Sequence, residues 1–283
     1  MTILISYILF FSLTTVNALY RRFVIKKKDG GEIEQIHFAF EILAILVIGS
    51  VIMQFFSPLY FTGDLWHLVI FSVICGVCGM GYFALNFAAQ KYVDAGISQV
   101  IVHIYVPITI IFSSILLNEG LNKVQLLGTG LLLVSMFIIS KKHQISRFRF
   151  DRYFWLMILS GFCMGVLLIA ERALQKQTGL TAGTMLSWGS QFAFLGVLAL
   201  ILKSKHTYTN KEVITTGALQ LVSSVSYVVM LFTVGNLSFV SSITTFKIVF
   251  IFIGAAIFLH EREDLSRKIF GSAIAVIGLL LMK

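Results

Sequence analysis

From Val213 to Phe246 no residue carries a charged side chain, a run longer than the ~20 residues that one membrane-crossing helix needs. Long uncharged stretches recur along the whole chain. A soluble domain requires a polar surface, and a sequence that is 58% hydrophobic and 12% charged, with a mean hydropathy of +0.91, does not contain one. Lipid must therefore solvate most of the molecule. The runs are continuous, without the period-two alternation of a barrel strand, so the expected class is an all-α membrane protein.

Taken in order, Met1 to Tyr20 has no charged side chain and no positive segment before it, and reads as a first membrane helix rather than a cleaved leader. A second helix is expected from about Gln35 to Phe56, a third from Leu65 to Ala89, a fourth from Gly96 to Leu117, and a fifth after Asn118-Glu119-Gly120 up to Ser140. The second half repeats the outline: Tyr153–Leu174, Leu180–Leu202, and a span from Val213 broken at Gly235-Asn236. Phe239–Leu259 and Lys268–Met282 complete ten. The chain thus divides into a first five-helix unit (1–140), a basic connection (141–152) and a second five-helix unit (153–283). Five is odd, so two such copies cross the bilayer in opposite senses, giving two inverted five-helix repeats around a midplane cavity. Sliding one half over the other places Arg22 on Arg172, Lys26 on Lys176, Phe38 on Trp188, Glu41 on Gln191 and, at a slightly different offset, Tyr82 on Tyr227.

Charge sets orientation. The net charge is +9, but the basic residues lie in short connections between apolar spans, which argues for membrane topology and against nucleic acid. Outside the spans, every lysine and arginine except Lys123, Arg172, Lys176 and Lys283 falls on one side. Positive connections stay in the cytoplasm, so the basic stretch Lys141–Arg152 is expected inside and both termini outside.

Enzyme signatures are missing: no HExxH, no Gly-x-Ser-x-Gly, no P-loop and no carboxylate cluster at metal spacing. No cofactor and no metal are expected. Cys75, Cys78 and Cys163 all lie in apolar runs and read as small packing residues. Gly161-x-x-x-Gly165 and the run Cys75-Gly76-Val77-Cys78-Gly79-Met80-Gly81 are expected to bring helices close together.

Ionisable residues inside spans point to a cavity, because a charge at mid-membrane costs roughly 2.5–3.5 kcal/mol on insertion scales. Glu41, His103 and Lys247 are the candidates. Lys247 lies about 12 Å into its helix, farther than its side chain covers by snorkelling. A structural Lys247–Glu41 pair is the alternative reading. Tyr82, Trp188 and Tyr227, with Asn17, Asn86 and Gln191, supply flat faces and hydrogen bonds of the sort a small-molecule pocket uses, although interface anchoring explains many such residues.

Val106-Pro107 in helix four, Leu117-Asn118-Glu119 at its end and Leu126-Leu127-Gly128 beyond resemble the EamA-type ten-helix members of the drug/metabolite transporter superfamily. Phe258-Leu259-His260-Glu261, Ile269-Phe270-Gly271 and Ile277-Gly278 form a similar set in the second half. The resemblance implies a secondary active transporter, an exporter or ion-coupled exchanger, for a small organic metabolite or drug. Protons or another coupling ion would drive it, in a multi-pass protein of the bacterial cell membrane. It also implies termini inside, against the charge bias. The second half departs from the pattern, with Lys247 where a proline is usual, and Glu41 and Gln191 where an arginine is common. Flipping of a lipid-linked precursor, or a non-transporting scaffold or sensor role, are the alternatives.

Overall fold

A computed structural model describes residues 2–27, 31–55, 63–90, 92, 101–140, 152–258 and 265–282. The helices are α1 (Thr2–Lys27), α2 (Glu32–Met53), α3 (Leu65–Gln90), α4 (Tyr105–Leu116), α5 (Lys123–Ser140), α6 (Arg152–Thr178), α7 (Leu180–Ile201), α8 (Asn210–Val234), α9 (Leu237–Thr244), α10 (Lys247–Phe258) and α11 (Leu265–Leu281). Among the described residues, six helices are long and apolar enough to cross a bilayer, and shorter apolar helices accompany them. The basic stretch 141–150, Glu261 and the start of the expected fourth helix lie outside the described residues.

The outer surface is apolar. Leu200 is 79% exposed and Ile115 70%, while Asn17, Arg21, Glu119, Glu171, Arg172 and Gln191 are buried. Lipid is the environment in which that inverted distribution is stable.

Local sequence explains the turns. Thr209 and Glu212 form a reciprocal capping box at the start of α8, and Gly235 closes that helix in the left-handed region at φ 72°. Asn236 Oδ1 then accepts from Phe239 N, 2.9 Å away, to open α9. The expected break at Gly235-Asn236 is therefore where one helix ends and the next begins.

Two expected helices are not continuous. In the fourth, Pro107 has no N–H to offer the carbonyl of His103 and its ring crowds that oxygen. His103 and Ile104 form a turn, with i→i+3 bonds from Ile104 N to Ile101 O and from Val106 N to His103 O. The expected span Phe239–Leu259 breaks at Thr245-Phe246 without a proline. There Thr244 Oγ1 donates to Ser241 O at 2.8 Å and Ser242 Oγ to Ser238 O at 2.8 Å, and such back-bonding by Ser and Thr bends helices. The first helix also runs on to Lys27, past the expected end at Tyr20.

In the packing, α3 lies against α6 and α7, α1 against α8 and α10, α2 against α7 and α8, α4 against α6 and α9, and α5 against α11. The glycines expected to allow close approach do so. A Cβ on Gly161 would stand 2.6 Å from Val102 O, and one on Gly79 would stand 2.1 Å from Gln191 Cγ. Gly128 and Gly278 face each other, each with the other's carbonyl oxygen at 2.7–2.8 Å from a notional Cβ. Backbone cannot yield as a flexible side chain can. Gly128→Ala should thus force α5 off α11 and lower stability by about 1–3 kcal/mol, read as a depressed melting midpoint in detergent. An unchanged midpoint would show that the two helices separate freely.

Candidate functional site

A cavity of about 150 Å³ lies among α1, α3, α6, α7, α8 and α10. Six of the nine sequence candidates line it: Asn17, Tyr82, Trp188, Gln191, Tyr227 and Lys247. Three do not. His103 is buried in the turn before α4, with its ring 5.2 Å from that of Tyr105. Asn86 is buried away from the cavity on α3. Glu41 sits toward the end of the bundle, where His206 and His37 engage it, so the Lys247–Glu41 pair is not formed.

The sequence reading missed Arg21 and Glu171. Arg21 ends an uncharged run and so reads as the edge of a connection, yet the extra turns of α1 carry it into the cavity wall. Its guanidinium carbon stands 4.7 Å over the Phe87 ring, within cation–π range. Lys247 Nζ lies 5.8 Å from the Phe10 centroid and 6.0 Å from that of Tyr105. It is the first residue of α10, directly after the interruption. Among the described residues no carboxylate forms a salt bridge with Arg21 or Lys247. Glu171 faces the same space from α6. Its Oε2 accepts from Ser187 Oγ at 2.8 Å, Ser187 Oγ accepts from Gln191 Nε2 at 2.9 Å, and Gln175 Nε2 donates to Oε1 at 3.4 Å.

On the opposite wall Asn17 Nδ2 donates to Gln220 Oε1 at 2.6 Å, and Gln220 Nε2 donates to Ser224 Oγ at 3.1 Å. Asn17 Oδ1 and Thr14 Oγ1 are buried without a protein partner. Tyr105 Oη and Thr244 Oγ1, 3.3 Å apart, join the two interrupted stretches at the cavity. The arrangement can hold a small solute between aromatic faces, meet a negative group with two cations, and present one carboxylate to a proton or a positive group.

Glu119 has a different setting. It is buried at the end of α4, where Arg172 Nε donates to Oε1 at 3.0 Å and Lys176 Nζ lies 2.8 Å from the same oxygen. Leu237 N, at the start of α9, donates to Oε2 at 2.7 Å. This carboxylate pairs with two cations and satisfies a helix N-terminus, and it joins α4, α6 and α9.

At the bundle end that holds Glu41, Tyr208 stacks on Phe38 with centroids 4.1 Å apart and is hydrogen-bonded by Gln35. Burial pushes its phenol up to about 12, so it stays neutral.

No curated protein matches this chain. A solved structure titled "Crystal structure of protein" superposes with a TM-score of 0.68, covering 98% of this chain and 95% of its own at 13% identity. That likeness carries the fold across both halves. Residues 4–141 match the EamA-like transporter family. Over that stretch, just under half of the chain, the sequence is similar to the EamA-type members of the drug/metabolite transporter superfamily.

Proposed function

We propose that the chain is a secondary transporter whose cavity carries a small organic solute bearing an anionic group, by alternating access between two inverted five-helix halves, 1–140 and 153–283. The observation that carries this reading is the pair Arg21 and Lys247. Two cations without a carboxylate partner line one cavity and leave it electropositive even after Glu171 is counted. A cation in the membrane interior is retained where it meets a solute or a partner. The internal repeat is supported by the two interruptions, at His103-Ile104 and at Thr245-Phe246, each followed by a half-helix that starts at the cavity with Tyr105 or Lys247. Broken helices facing a midplane cavity are a recurrent feature of inverted-repeat transporters. Glu171, rather than Glu41, is the carboxylate placed to couple a proton or another cation to the solute.

Proteoliposomes loaded in turn with carboxylated, neutral and cationic organic solutes test the proposal. Flux is expected for members of the carboxylated set and should respond to an imposed proton or sodium gradient. Glu171→Gln should retain solute exchange while losing that gradient response. Flux of cationic solutes alone would overturn the charge argument. No flux of any solute, together with a stoichiometric membrane partner, would replace transport by a scaffold role.

A further inference from the structure

Two histidines and a carboxylate converge away from the cavity. His37 and Glu41 stand one turn apart on the same face of α2, with His37 Nε2 3.6 Å from Glu41 Oε1. His206, in the connection between α7 and α8, directs Nδ1 at the same oxygen. The three ligand atoms lie within 4.8 Å of one another.

The hydrogen bonds around them define what the site lacks. Ser204 Oγ donates its proton to Ala199 O at 3.1 Å. Its oxygen therefore accepts from His37 Nδ1, 2.9 Å away, so the His37 ring carries its proton on Nδ1. In the neutral ring the Nε2 lone pair then faces the carboxylate of Glu41 with no proton between them. Glu41 Oε2 is itself buried without a partner. A lone pair and an anion aimed at one point call for a cation there. An imidazole fixed through its far nitrogen is the usual state of a metal-ligating histidine.

We propose that His37, Glu41 and His206 bind one divalent transition-metal ion of the zinc class, linking α2 to the α7–α8 connection. Two imidazoles and one carboxylate suit zinc, cobalt or nickel better than calcium or magnesium. Ligand bonds of about 2.0–2.2 Å place adjacent ligand atoms roughly 3.3–3.5 Å apart in a tetrahedron, close to the His37–Glu41 separation. His206 lies nearer to Glu41 than that and must draw back on binding. Its side chain is 48% exposed, in a connection, and is free to do so. The ion spans the proposed halves, since α2 belongs to one and the α7–α8 connection to the other, and it would hold this end of the bundle closed.

The test uses the full chain purified in detergent with any affinity tag removed, titrated with Co²⁺ and followed by visible absorption. The expected result is one ion per chain with a d–d band and no sulfur charge-transfer band, displaced by Zn²⁺, which also raises the melting midpoint. His37→Ala and His206→Ala should each weaken binding roughly 100-fold or more. Ser204→Ala, which frees the ring without removing a ligand, should weaken it roughly 10–100-fold. His206→Ala is exposed and is expected to melt like the wild type in EDTA, so loss of binding in that variant cannot be ascribed to misfolding. Absence of a band in the wild-type protein, or equal affinity in His206→Ala, would overturn the assignment.

Discussion

Lys247→Met and Arg21→Gln are each expected to weaken solute binding by roughly 10–100-fold, the effect of losing about 1.5–3 kcal/mol of hydrogen bonding to a charged group. The measurement is the solute concentration that half-saturates flux in proteoliposomes, together with the melting midpoint of each variant. Neither cation has a carboxylate partner among the described residues, so neutralising it orphans no buried charge. The midpoint should hold or rise while transport falls. That combination separates a solute-binding charge from a structural one, whose removal lowers both together. Wild-type saturation by Lys247→Met would remove the ground for an anionic solute.

Lys247 was legible because it is the one charge within a long uncharged stretch, and helix geometry places it too deep to reach water. Trp188, Gln191 and Tyr227 were visible as polar or amphipathic groups in otherwise apolar runs. Arg21 was not, because hydropathy marks where apolar residues stop and not where the helix stops. What carries α1 on to Lys27 is packing against α8 and α10, which is contact between distant segments. Glu171 escaped for a related reason. It stands beside Arg172 near the end of its helix, where a pair of charges resembles a boundary, and only the fold shows that the two side chains go to different places. Glu41 shows the converse. Its position in an apolar run suggested a cavity role, but the run continues into the half-buried end of the bundle, where two histidines from distant positions meet it.

The interruptions follow the same logic. Pro107 announces one by its missing N–H. The other depends on Ser242, Thr244 and Thr245 turning their hydroxyls back on the preceding carbonyls. Ser and Thr make that bond in many straight helices too, so composition alone did not place the break.

The largest stability loss is expected at the Glu119 cluster. Arg172 and Glu119 are both almost fully buried and pair at 3.0 Å. Breaking a buried pair by removing one partner costs about 3–5 kcal/mol, because the remaining charge is left desolvated. Arg172→Met leaves Glu119 with Lys176, which is 39% exposed, and with the Leu237 N–H, so the loss should fall toward the lower end of that range. Lys176→Met removes a charge that water screens and should cost at most about 1 kcal/mol. Glu119→Gln combined with Arg172→Met should be less damaging than the sum of the single changes, since the double variant buries no unpaired ion. Thermal unfolding of the four proteins in one detergent gives the coupling directly. Strict additivity, or an Arg172→Met midpoint equal to the wild type, would mean that α4, α6 and α9 are held by apolar packing and that the carboxylate at the end of α4 contributes nothing to their union.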